Sequence, residues 1–254
     1  MIDTHTHLYT DEFEDGGEAA VRRAIESGVD IMIFPNIDVA SIGPMTQLHL
    51  KFPLHTKMAM GLHPTDIGDD YEEVLLLMEK ELDSGKYIAV GEVGIDLYWD
   101  KSRLELQKDV FRRQLISAQK RGLPVIIHCR DAFPETIEVI KEVNLDVPLV
   151  FHSFTGSTDD VKAIREVCDA YFGINGVVTY KNASTLRDAL PVIGENRILL
   201  ETDSPYLSPV PLRGKRNESA NLGFIRDKIA EAMNLSPETI EKRTTENARK
   251  IFKL

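Results

Sequence analysis

Short apolar runs rich in β-branched residues alternate along the chain with longer stretches whose apolar positions recur every three or four residues. The short runs are Met1–Thr6, Val29–Phe34, Lys57–Leu62, Tyr87–Val90, Pro124–Ile127, Pro148–Phe151, Asp169–Ile174 and Arg197–Glu201, each the length of a strand. Helical periodicity fills the intervals, as in Glu18–Glu26, Glu72–Leu82, Arg103–Arg121 and Thr158–Val167. The punctuation agrees: Gly28 follows the first helix, Gly122-Leu123-Pro124 follows the long one, and Ser157 or Thr158 serves as an N-cap with Asp159 and Asp160 in the first turn. Strand ends fall near residues 7, 35, 62, 92, 128, 152, 174 and 203. Eight strand–helix units of this size predict an α/β protein of the (β/α)8 TIM barrel class, whose typical length is about 250 residues. A doubly wound open sheet uses the same alternation, but it usually stops at fewer strands, and no GxGxxG follows the first run. No linker, repeat or charge block interrupts 1–254, so a single domain is expected.

Composition narrows the function. Among 254 residues, 30 Lys+Arg stand against 41 Asp+Glu, a formal charge of −11 that excludes a basic protein sliding on DNA. The two cysteines, Cys129 and Cys168, form no CxxC pair, and both are expected to be reduced. The opening MIDTHTHLYTDEF lacks a charged n-region and an apolar h-region, and apolar runs stay far below the ~20 residues that span a bilayer. A cytoplasmic monomer is the expectation, with no membrane partner. The one long irregular stretch, Asp203–Asn217, follows the eighth strand, and loops of that length are usually functional.

The histidines carry the chemistry. Five of seven, His5, His7, His63, His128 and His152, lie at predicted strand ends, on the face where barrels keep their active sites. His5 and His7 are two apart on a strand and point to one face. Glu92 and Asp203 end two other strands. A solitary strand-end histidine usually caps or faces solvent; four histidines and two carboxylates at one barrel end make a two-metal site. Imidazole and carboxylate without thiolate suit Zn, Mn, Fe or Co and leave Mg open. Cys129 points away from His128 and reads as a core residue, and His49 and His55 lie away from strand ends.

At these residues the sequence resembles the TatD-family metal-dependent deoxyribonucleases of the amidohydrolase superfamily. The matching motifs are Asp3-Thr4-His5-Thr6-His7, Gly61-Leu62-His63-Pro64, Gly91-Glu92-Val93-Gly94-Ile95-Asp96, His128-Cys129-Arg130-Asp131-Ala132, His152-Ser153-Phe154-Thr155-Gly156 and Glu201-Thr202-Asp203-Ser204-Pro205, with Arg213-Gly214-Lys215-Arg216-Asn217-Glu218 beyond. The resemblance implies a TIM barrel that hydrolyses phosphodiesters in DNA with one or two divalent cations. It implies that His5, His7 and Asp203 hold the first cation and His128 and His152 the second, with Glu92 bridging. Ser153 and Ser219 depart from the family pattern and touch no ligand position.

Two cations activate water and stabilise charge on phosphoryl oxygens, with Glu92 and Asp203 as the catalytic carboxylates and Asp203 as proton acceptor. Glu201 shares the parity of Asp203 and reads as support for a ligand. His63, Arg130, Arg213 and Arg216 are candidate phosphate contacts; for each arginine a surface ion pair explains it as well. Ser157 and Thr158 open a helix that suits an anion or a simple cap. Tyr98 and Trp99 either stack a flanking base or pack within their loop. Few phosphate contacts favour single strands or strand ends of DNA. Two other readings stay open: an ester- or amide-hydrolysing member of the same superfamily, acting for instance on aminoacyl-tRNA, and a non-catalytic metal-binding protein.

Overall fold

The computed structural model describes residues 1–254. Eight strands, β1 (Ile2–Asp3), β2 (Ile31–Pro35), β3 (Thr56–Met60), β4 (Tyr87–Asp96), β5 (Val125–Arg130), β6 (Leu149–Phe151), β7 (Ala170–Ile174) and β8 (Ile198–Leu200), pair in sequence order. All seven pairings are parallel. Closure between first and last strands uses loop backbone: Thr4 N–H donates to Leu200 O at 2.9 Å, Asp203 N–H to His5 O at 2.9 Å and His7 N–H to Ser204 O at 2.7 Å. The buried Asp3 carboxylate clamps the same seam by accepting the Thr202 N–H (2.9 Å) and O–H (2.6 Å). The expected (β/α)8 barrel is the fold found.

Nine helices surround it: α1 (Glu18–Glu26), α2 (Ile42–Lys51), α3 (Tyr71–Asp83), α4 (Leu104–Arg121), α5 (Phe133–Val143), α6 (Thr158–Arg165), α7 (Ser184–Ile193), α8 (Leu222–Met233) and α9 (Pro237–Phe252). Their ends follow the sequence signals. Gly122 closes α4 at a φ of 61°, where a glycine meets no Cβ penalty. Ser157 and Asp160 form a reciprocal capping box on α6, which occupies the Ser157 and Asp160 N–H groups. No helix is long and apolar enough to cross a membrane.

The barrel interior is layered. Ile2, Ile33, Ala59, Ala89, Ile126, Val150, Tyr171 and Leu199, one residue per strand, form an apolar floor that Ala248, Ile251 and Phe252 of α9 seal from below. Two residues further along three of these strands, on the same face, come His128, His152 and Glu201. The site therefore stands on a dry base.

Two strand limits differ from the sequence reading. β1 is only two residues long: beyond it Thr4 and His7 donate to β8 and the loop after it, and the Thr6 N–H alone returns to Ile33 O of β2. β4 runs on to Asp96 instead of ending near residue 92, so Glu92 lies inside the strand rather than at its end. The glycines beside Glu92 let β4 press on β5: a Cβ at Gly94 would sit 1.9 Å from the His128 carbonyl oxygen. The ladder also shifts register between Val90 and Val93, which turns Glu92 into the barrel.

Candidate metal centre

Glu92 is the hub. It is buried, and its two oxygens face different partners. Oε2 lies 3.1 Å from His5 Nε2 and 3.5 Å from His7 Nε2. Oε1 lies 2.8 Å from His128 Nδ1, 2.7 Å from His152 Nε2 and 3.4 Å from His63 Nε2. Asp203 Oδ1 stands on the first side, 3.8 Å from both His5 Nε2 and His7 Nε2. Asp203 holds a φ of 55°, a left-handed conformation that costs a non-glycine residue about 1 kcal/mol or more and aims its carboxyl into the mouth.

Protonation fits a cation. Burial would raise the Glu92 carboxyl, but the imidazoles of His152, His5 and His63 hold it well below the usual carboxylate range. Burial, reinforced by neighbouring His152, holds His5 well below the usual imidazole value, so its ring is neutral. His5 and His7 bring their Nε2 atoms within 3.1 Å of each other. Two ring nitrogens so close share at most one proton, and converging lone pairs beside an ionised carboxylate are the donor set a divalent cation takes. The residues present therefore fit the group.

Supporting contacts fix these rings. Buried Tyr9 donates its O–H to the Pro35 carbonyl, which can only accept, so the His7 Nδ1–H at 2.9 Å must donate to Tyr9 Oη. That leaves the His7 Nε2 lone pair facing Glu92. On the other side, Asp96 Oδ2 lies 2.9 Å from His128 Nε2, orienting Nδ1 toward Glu92. Glu201 accepts the Ser153 N–H, and its Oε1 lies 3.8 Å from His152 Nδ1. Burial and nearby Asp203 push Glu201 well above the usual carboxylate range.

The expected six residues lie at one barrel end, Asp203 at 3.8 Å from His5 and His7, and His63, expected as a phosphate contact, stands beside them with Nε2 3.4 Å from Glu92 Oε1. Burial would lower His63, but the carboxylates of Glu92 and Asp66 outweigh it and raise its pKa to about 10. The arginines stay outside the cluster. Arg130 lies over Tyr98, Arg213 over Tyr180 at 4.2 Å, and Arg216 over Phe13 at 4.3 Å while bonding Glu12 O. His49 bonds Thr56 and His55 bonds Asp30 O, away from the site. Cys129 faces the core and receives the Thr136 hydroxyl.

The sequence matches the family described as TatD related DNase over residues 2–253. The chain belongs to that family. Among TatD-type relatives, the uncharacterized metal-dependent hydrolase YabD of Bacillus subtilis (strain 168) is 34% identical over 255 residues, with 100% of this chain and 99% of the relative covered. The 3'-5' ssDNA/RNA exonuclease TatD of Pectobacterium parmentieri is 32% identical over 260 residues, with both chains covered to 100%. The crystal structure of the TatD homologue YJJV from Escherichia coli K12 superposes with a TM-score of 0.93 at 27% identity, covering 100% of this chain and 98% of that one. The chain is thus a metal-dependent hydrolase of the TatD family.

Two supporting residues escaped the sequence reading. Asp96 shares a strand face with Glu92, and reading β4 to its true end would have found it. Tyr9 lies beyond the regular strand, where two-residue parity no longer applies.

Proposed function

We propose that this TatD-family hydrolase cleaves phosphodiester bonds in single-stranded DNA, working from strand ends, with two divalent cations. His5, His7 and Asp203 would hold one, His128 and His152 the other, and Glu92 would bridge them. The observation that carries this reading is the division of one buried carboxylate, with Oε2 toward His5 and His7 and Oε1 toward His128 and His152. Nitrogen and oxygen donors without thiolate suit Zn, Mn, Fe or Co, with Mg also compatible.

When bound, such cations supply Lewis-acid charge for the phosphoryl oxygens and make water acidic enough to lose its proton near neutral pH. The protein does the rest. Asp203 accepts the proton of the attacking water: burial raises its pKa, and a carboxyl that binds protons more readily than usual is the better base there. Glu92 stays ionised among its imidazoles and sets the spacing. Tyr9 and Asp96 hold two rings in the tautomers that present lone pairs.

Substrate choice follows from charge. A chain of formal charge −11 offers only scattered cations at the mouth, Arg130, Arg213 and Arg216 among them. Few phosphate contacts suit a flexible strand end better than long duplex. The relative from Pectobacterium parmentieri, named a 3'-5' ssDNA/RNA exonuclease, supports the same class. The test is digestion of end-labelled single strands, closed circular duplex and aminoacyl-tRNA by metal-loaded protein. Stepwise shortening of the single strand is expected. Equal cleavage of closed circular DNA contradicts end preference, and faster release of the amino acid contradicts the phosphodiester.

A further inference from the structure

We propose that Tyr98 and Trp99 form a seat for the nucleobase beside the scissile phosphodiester, with the Arg130 guanidinium meeting the adjoining phosphate. This rests on the phosphodiesterase reading and adds a base-binding subsite to it.

The loop after β4 exposes two large aromatic side chains in succession, Tyr98 at 54% and Trp99 at 71%, although the chain buries Phe34, Phe111, Phe151, Tyr171 and Phe172 almost completely. Their rings stand at 90° with centroids 4.9 Å apart. The loop is firmly held. Asp96 Oδ1 accepts the N–H groups of Tyr98 (2.9 Å) and Trp99 (3.4 Å), while Oδ2 of the same carboxylate lies 2.9 Å from His128 Nε2. One side chain thus ties the aromatic pair to a residue of the metal cluster.

Arg130 completes the arrangement. It pairs with Asp96 across the β4–β5 ladder. It is two residues beyond His128, so it stands about 6.6 Å further toward the mouth on the same strand face. Its guanidinium carbon lies 3.7 Å from the Tyr98 ring centroid and 5.6 Å from that of Trp99. Arg112, Arg113 and Arg121 of the neighbouring α4 all pair with carboxylates. Arg130 is exposed and pairs with none, so its N–H donors are free for a phosphate. Aromatic faces and an unpaired planar cation, one strand repeat from the cluster, match the two chemical parts of a nucleotide: a π-faced base and a phosphate.

Trp99 is the only tryptophan, so intrinsic fluorescence reports on the seat directly. Zinc-loaded wild type is titrated with a single-stranded DNA oligonucleotide whose terminal linkages are phosphorothioate to slow cleavage, and with the same strand made abasic at its last three positions. The intact strand is expected to quench Trp99 saturably and to bind about tenfold more tightly than the abasic one, within the range of stacking contributions per base. Equal quenching and equal affinity overturn the proposal. Steady-state cleavage of unmodified strand gives a second reading: Trp99→Ala is expected to raise KM about tenfold with the loss in KM rather than kcat, and Trp99→Phe to restore most of it. A KM for Trp99→Ala equal to wild type contradicts the seat. Wild type that cleaves neither the strand nor bis(p-nitrophenyl) phosphate contradicts the phosphodiesterase reading instead, and the quenching comparison still decides the seat.

Discussion

Gly173 of β7 touches Glu201 at the end of the adjacent β8, two residues above the floor residue Tyr171. A Cβ built there would lie 2.0 Å from Glu201 Oε2, 2.5 Å from Cδ and 2.9 Å from Oε1, so Gly173→Ala strikes the whole carboxyl group. Glu201 is fully buried and cannot swing into solvent. It must retract, and its bond to the Ser153 N–H is lost with the movement. Overpacking costs about 2 kcal/mol and the orphaned, part-buried Ser153 N–H about 1 kcal/mol, so the sum is about 3 kcal/mol. At about 3 °C per kcal/mol for a chain of this size, Tm should fall by about 9 °C in thermal unfolding followed by circular dichroism. Glu201→Asp shortens the side chain by one methylene and draws the carboxyl back. In that background Gly173→Ala is expected to cost less than about 1 kcal/mol, a coupling of about 2 kcal/mol in the double-mutant cycle. A loss below about 1 kcal/mol with Glu201 intact, or an additive cycle, refutes the packing argument.

Tyr9→Phe removes the acceptor for His7 Nδ1–H and is expected to weaken the tighter coupling of metal to the His5–His7 side about 10–100-fold in chelator competition. An affinity unchanged from wild type shows that Tyr9 does not orient the ring. Burial pushes both thiols, Cys129 and Cys168, up to about 12, against an ordinary 9.0, because it disfavours the thiolate. At pH 8 the thiolate fraction falls about a thousandfold, so iodoacetamide should label the native protein about that much more slowly than the unfolded one, and comparable rates contradict the burial. If Arg130, Arg213 and Arg216 supply the phosphate contacts, single-strand binding should weaken with salt at a slope of about −2 on a double-logarithmic plot. A slope near zero removes all three from the interface.

The barrel was legible because its two periods alternate eight times without interruption, and His128 and His152 could be placed because each ends an apolar run. Glu92 was found at a strand end while its strand was cut short: the apolar run stops at Val90, and the glycines beyond it serve to bring two backbones together, a fact that depends on the neighbouring strand. The same truncation hid Asp96. His63 was read at a strand end as a phosphate contact; it N-caps the single 3-10 turn Pro64–Asp66, whose geometry no periodicity records, and its ring lies 3.4 Å from Glu92. The arginine-rich stretch after β8 illustrates the opposite limit. Its length marked it as functional, but only coordinates reveal that Arg213 and Arg216 rest on aromatic rings contributed by other loops.

The central claim is that one carboxylate, Glu92, joins two cations into a hydrolytic centre. Metal content per chain, measured alongside phosphodiester turnover for wild type and Glu92→Ala, tests it most directly. The expected result is two equivalents and cleavage for wild type, with at most one equivalent and a loss of more than about 100-fold in kcat/KM for the variant. A Glu92→Ala protein that keeps two cations and full activity contradicts it.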